Sequence, residues 1–89
     1  MLQIHLDLTA LASRQALYSS LLAQSNGPAS FGHNLDALWD WLTAGMVLPA
    51  LIIVHGVVQS GHSPEFSPVL ALLREAEQTL HGQLRLRVA

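Results

Sequence analysis

The segment Leu2-Gln3-Ile4-His5-Leu6-Asp7-Leu8 alternates strictly, with Leu2, Ile4, Leu6 and Leu8 on one side and Gln3, His5 and Asp7 on the other. That period of two predicts a half-buried strand. From about Leu11 to Gln24 the spacing changes to Leu17/Leu21 and Tyr18/Leu22, which predicts an amphipathic helix ending at Ser25-Asn26-Gly27-Pro28. A second helix is expected from Asn34, a good N-cap, with Leu35, Leu38 and Leu42 as its apolar stripe and Gly45 as its end. Pro49 opens Ala50-Leu51-Ile52-Ile53-Val54, a continuous apolar run that predicts a central strand covered on both faces. His55 to Ser63 reads as a loop or a single helical turn. Ser67-Pro68 is expected to be the cap and first position of a third main helix. Its stripe is Val69, Leu70, Leu73, Ala76 and Leu80, and Gly82 marks its stop. Leu84, Leu86 and Val88 alternate with Arg85 and Arg87, a one-sided pattern suited to an edge strand.

The order strand, helix, helix, strand, helix, strand requires crossover connections, because parallel neighbours cannot be joined by a hairpin. The fold class is therefore α/β: a small two-layer arrangement of a three-stranded parallel sheet packed with three main helices. The 89 residues form one expected domain, 1–89, since no repeat, charge run or linker-like tract divides them.

Charge narrows the list of partners. Six acids stand against four arginines and no lysine, for a net charge of −2. So few cations leave no positive field for a phosphate backbone, so direct nucleic-acid binding is not expected. The longest apolar run, Met46 to Val54, contains Pro49 and is far short of the roughly 18 to 20 residues that span a bilayer. No basic region precedes the first apolar stretch and Asp7 interrupts it, so an unexported, cytoplasmic protein is expected. The absence of cysteine removes disulfides, thiolate catalysis and Cys-type zinc sites.

Candidate chemistry gathers on the second helix. At about 100° per residue, Asp36 and Asp40 lie within about 40° of each other on a face adjoining the Leu35/Leu38/Leu42 stripe. No cation stands three or four residues from Asp40. Asp36 sits in the first turn, where the helix dipole by itself accounts for a carboxylate. Asp40 lies beyond it, and reads either as a solvated acid or as a binding group. Trp39 falls at the rim, where it either closes the core edge or serves a partner. An aromatic flanked by uncompensated acids has the composition of a protein-binding hot spot directed at a cationic pocket.

The segment Phe31-Gly32-His33-Asn34-Leu35-Asp36-Ala37-Leu38-Trp39-Asp40 resembles the barstar family of ribonuclease inhibitors. That family's signature is an aromatic, a glycine, any residue, then Asn-Leu-Asp-Ala-Leu-Trp-Asp. The likeness extends more weakly over the whole chain, including Arg74-Glu75-Ala76 on the late helix. The resemblance implies a barstar-like fold and an intracellular, antitoxin-like bacterial inhibitor that plugs the active site of a basic ribonuclease or related toxin. It implies that Asp40 takes the place of an RNA phosphate. Asp36, Trp39, Asn34, Gly32 and Phe31 would line the same contact, and Glu75 would add an outlying one. Where the family often carries a second aromatic before Phe31, this chain has Ser30.

Nothing predicts an enzyme. Gly-x-Ser-x-Gly and glycine-rich phosphate loops are absent, and His5, His33, His55, His62 and His81 show no zincin-type spacing, so neither a cofactor nor a metal is expected. His33 beside the acidic helix is either a solvated loop side chain or a source of pH-dependent binding. Trp41 lies on the flank opposite the acids, suited to packing under a neighbouring loop or to a further contact. The competing function is a barstar-fold interaction module with a non-nuclease partner, or one that self-associates. A mean hydropathy of +0.37 with only 11% charged residues leaves self-association open.

Overall fold

The computed structural model describes residues 1–27, 32–60 and 63–89. The expectations for Ser30, Phe31 and His62 lie outside them. Strand β1 (Leu2–Asp7) leads to α1 (Arg14–Gln24), then to α2 (Leu35–Asp40), which runs on as a π-helical turn over Trp41–Gly45. Strand β2 (Ala50–His55), the short α3 (Val57–Ser60), α4 (Ser67–Thr79) and β3 (Leu84–Val88) complete the order. The sheet is three-stranded in the order β1-β2-β3, and both pairings are parallel. The α/β class, the parallel sheet and the central place of β2 are as the hydrophobic pattern predicts.

The buried side chains of α1, α2 and α4 meet Ile4, Leu6, Ala50, Ile52, Val54 and Leu84 in one cluster. The sheet's other face carries Gln3, His5 and Asp7 from β1, Leu51, Ile53 and His55 from β2, and Arg85 and Arg87 from β3. Here the expectation for β2 needs correction. The strand is central, but only one of its faces meets the helical cluster. Ile53 is still only 7% exposed, because its register partners His5 and Arg87 flank it and long polar side chains shield apolar neighbours with their stems.

Each outer strand is engaged at one residue by a side chain of the helical layer. The Gln24 amide accepts from the His5 N–H at 2.7 Å and donates to the His5 carbonyl at 2.8 Å. On the opposite side the Glu77 carboxylate accepts from the Leu86 N–H at 2.8 Å. Each occupies backbone groups that a foreign strand would otherwise use.

Element ends differ from the periodicity for local reasons. Helix α1 starts at Arg14 rather than near Leu11, because the Asp7 carbonyl holds residues 10 and 11 in a turn and the Ser13 hydroxyl caps the Ala16 N–H at 3.2 Å. In α4, Ser67 is the first helical residue and Phe66 the cap, since the Ser63 carbonyl already accepts from the Phe66 and Ser67 N–H groups. The helix stops as expected, with His81 and Gly82 both at positive φ after Thr79. In β3, Leu84 is buried and Leu86 half-buried, but Val88 is 47% exposed, so the inward face fades along the strand.

Asp7 ends β1 with a turn that makes a pH prediction. Its carboxylate accepts from the Thr9 hydroxyl at 2.6 Å and the Thr9 N–H at 3.0 Å. Those bonds hold its pKa below the ordinary 3.8, with His55 adding a smaller pull. A group depressed in the folded state contributes stability above its unfolded pKa and loses it as pH falls through the folded one. Asp7→Asn should therefore narrow the stability gap between pH 6 and pH 2.5 in urea titrations. An unchanged pH profile would show that the turn does not depend on the charge.

Candidate functional site

Asn34 begins α2 in an extended conformation, and its side-chain oxygen accepts from the Ala37 N–H at 2.8 Å. This is the N-cap that the sequence predicts. Leu38 and Leu42 are fully buried, while Leu35 and Trp39 pack half-buried against the core. With that side anchored, Asp36 and Asp40 are left exposed. Among the described residues, neither carboxylate has an arginine within ion-pair distance or a side-chain hydrogen bond. Asn34→Ala should cost about 1 kcal/mol of stability through the lost cap, read as a lower urea midpoint at unchanged slope.

Gly32 is exposed, and its carbonyl accepts from the Asn34 N–H at 2.8 Å. A Cβ there would come within 3.1 Å of the Asn34 amide nitrogen, so a side chain would press on the cap. Trp39 occupies the rim between core and acidic face. Its carbonyl accepts from the Thr43 hydroxyl at 2.8 Å, in the stretch where the helix widens and the Met46 N–H reaches back five residues to the Trp41 carbonyl. Trp41 donates its indole N–H to the buried Ser25 hydroxyl at 2.9 Å, tying α2 to the end of α1. Gly45 leaves room for that indole, because a Cβ there would collide with its six-membered ring. Glu75 is exposed on α4, the helix packed beside α2.

A depression of about 630 Å³ adjoins the start of α2, lined by Arg14, Tyr18, His33, Asn34 and Asp36 among others. The sequence pattern gives no reason to single out Arg14 or Tyr18, since Tyr18 reads as part of the apolar stripe of α1. Burial pushes the Tyr18 phenol above its ordinary pKa, while nearby Arg14 pulls the other way. Arg14 is itself fixed. Its guanidinium donates to the Glu65 and Pro64 carbonyls at 2.9 and 2.8 Å, and its backbone N–H donates to the Glu65 carboxylate at 2.7 Å. His33 lies with its ring tilted against Tyr18, 5.9 Å between centroids, and its ring nitrogen is 3.5 Å from the Ser19 hydroxyl.

Three parallel strands under a helical layer that presents two unneutralised carboxylates make this a small α/β protein. The family model described as "Barstar (barnase inhibitor)" matches residues 1–88. The chain belongs to the barstar family. No curated protein matches it. Among the described residues, no helix is long and apolar enough to cross a membrane.

Proposed function

We propose that this protein inhibits a basic ribonuclease, or a related toxin, by seating α2 in the enzyme's catalytic cleft. The observation that carries the reading is the exposure of Asp36 and Asp40, both without an internal cation among the described residues, in a member of a family described as barnase inhibitors. A nuclease that binds RNA must surround a phosphate with Arg, Lys and His. A carboxylate entering that water-poor pocket makes short charge-assisted hydrogen bonds in the phosphate's place. Asp40 takes this role. Asp36, Trp39, Asn34, Gly32 and Phe31 line the contact, and Glu75 touches its margin.

The scaffold lowers the cost of binding. The Asn34 cap, the Leu38/Leu42 anchor and the Trp41–Ser25 bond fix the helix before the enzyme arrives, so little conformational entropy is lost on association. The acidic face also speeds encounter with a positively charged cleft. The inhibitor acts in the compartment where the ribonuclease is made, as an antitoxin-like safeguard in a bacterial cytoplasm, with no catalysis of its own.

The test is a titration of a basic, guanyl-specific microbial ribonuclease with this protein while RNA cleavage is followed. Cleavage should fall to the background at a one-to-one ratio. Undiminished cleavage by a panel of such enzymes under excess inhibitor would reject the nuclease reading in favour of a different partner.

A further inference from the structure

We propose that the open face of the sheet is a second docking surface, whose occupant is the acidic helix of another copy of this chain. Asp36 and Asp40 of one molecule pair there with Arg85 and Arg87 of the next. This contact rests on the helix assigned above to the ribonuclease, but its second face lies on the opposite side of the molecule.

The first observation is charge complementarity. Arg85 and Arg87 are exposed on neighbouring inward-to-outward repeats of β3, and among the described residues neither has an ion pair or a side-chain hydrogen bond. They are half of the chain's four arginines. Arg14 is committed to backbone carbonyls, and Arg74 lies on α4. The acidic pair rides on the helical layer and the basic pair on the uncovered face of the sheet, so the two are not neutralised within one molecule.

The second observation is spacing. Residues two apart on a strand stand about 6.6 Å apart. Residues four apart on a helix rise about 6 Å. Asp36/Asp40 and Arg85/Arg87 therefore match as two-pronged partners to within less than an ångström, and the flexible arginine stems absorb the rest. Each guanidinium can meet its carboxylate in a bidentate fork.

The third is the surface between the prongs. Leu51, half-buried, stands beside Arg85 in register, and Ile53 beside Arg87. Ile53 is shielded, but Leu51 gives an apolar floor to a depression of about 500 Å³ along β3, where the half-buried Trp39 of the incoming helix can settle. Other charged and titratable groups on or beside this face are few. Glu77 already accepts the Leu86 N–H, Asp7 is engaged by Thr9 at the far end of β1, and His5 and His55 stack with centroids 6.0 Å apart.

Two different faces that fit each other produce head-to-tail association without closure. The pairing masks the carboxylates that the ribonuclease would take, so a tight-binding enzyme dissolves the assembly. The contact is small and its charges are wet, so it forms only in concentrated solution and low salt.

Sedimentation equilibrium of the full chain, with no nuclease present, tests this separately from the ribonuclease reading. At about 1 mM protein and roughly 0.02 M salt, the weight-average mass should exceed the monomer's 9.6 kDa by about half or more, and return to it at about 0.5 M salt. Arg85→Glu/Arg87→Glu and Asp36→Asn/Asp40→Asn should each be monomeric. Mixed together, they should form a two-chain species and nothing larger, because each keeps one complementary face. Arg85→Gln/Arg87→Gln replaces the first variant if its circular dichroism shows misfolding. A monomeric wild type under the low-salt condition, association that survives both variants, or a mixture that stays monomeric would each overturn the proposal.

Discussion

Asp40→Ala should weaken binding to the inhibited ribonuclease by at least about 2 kcal/mol, a loss of roughly 30-fold or more, while the melting temperature barely moves. The two halves of that expectation have separate origins. Asp40 is exposed and, among the described residues, unpaired, so its removal breaks no internal contact, and alanine is the better helix former. In the complex the same truncation leaves the enzyme's phosphate-binding cations desolvated and without a partner, which is the expensive situation for a charge. Asp36→Ala should behave differently. It lies in the first turn of α2, where its charge also favours the helix N-terminus, so both affinity and stability should fall. Isothermal titration and thermal melts on the same samples separate these terms. Equal affinities for Asp40→Ala and wild type would remove Asp40 from the contact.

What the sequence discloses about this molecule depends on whether a residue's role is set locally. The alternation of Leu2 to Leu8 is a local signal, and Ile4, Leu6 and Leu8 are buried as it requires. The Asn34 cap is equally local, because it needs only the N–H groups of the next turn. The apolar run of β2 is ambiguous by nature. It identifies a central strand, yet cannot tell a second helical layer from shielding by His5 and Arg87 across the strands. The π-helical widening at Trp41–Gly45 leaves no trace in the apolar spacing, since Leu35, Leu38 and Leu42 all precede or barely enter it. At the site, helical geometry suffices to put Asp36 and Asp40 on a common face. The Arg14–Glu65 strap and the Tyr18–His33 contact join residues 51 and 15 positions apart. Such pairs follow from tertiary packing, and no local pattern announces them.

Leu38→Ala should produce the reverse of Asp40→Ala: a large loss of stability with little intrinsic loss of affinity. Leu38 is fully buried in the shared cluster and holds α2 against the neighbouring helix α4. Truncating such a leucine costs about 2 to 5 kcal/mol, from lost transfer energy and the cavity left behind. For 89 residues, the total stability expected is about 5 to 13 kcal/mol, so the change consumes a large share of it. The melting temperature should fall by about 10 to 25 °C. Near 10 °C most molecules should remain folded and still present Asp36 and Asp40, so the affinity per folded molecule should stay within about threefold of wild type. Denaturant melts give the stability, and titration with the ribonuclease in the cold gives the affinity. If the folded Leu38→Ala protein binds as poorly as Asp40→Ala, the anchored face is itself part of the contact, and the division between a supporting leucine stripe and a binding carboxylate face fails.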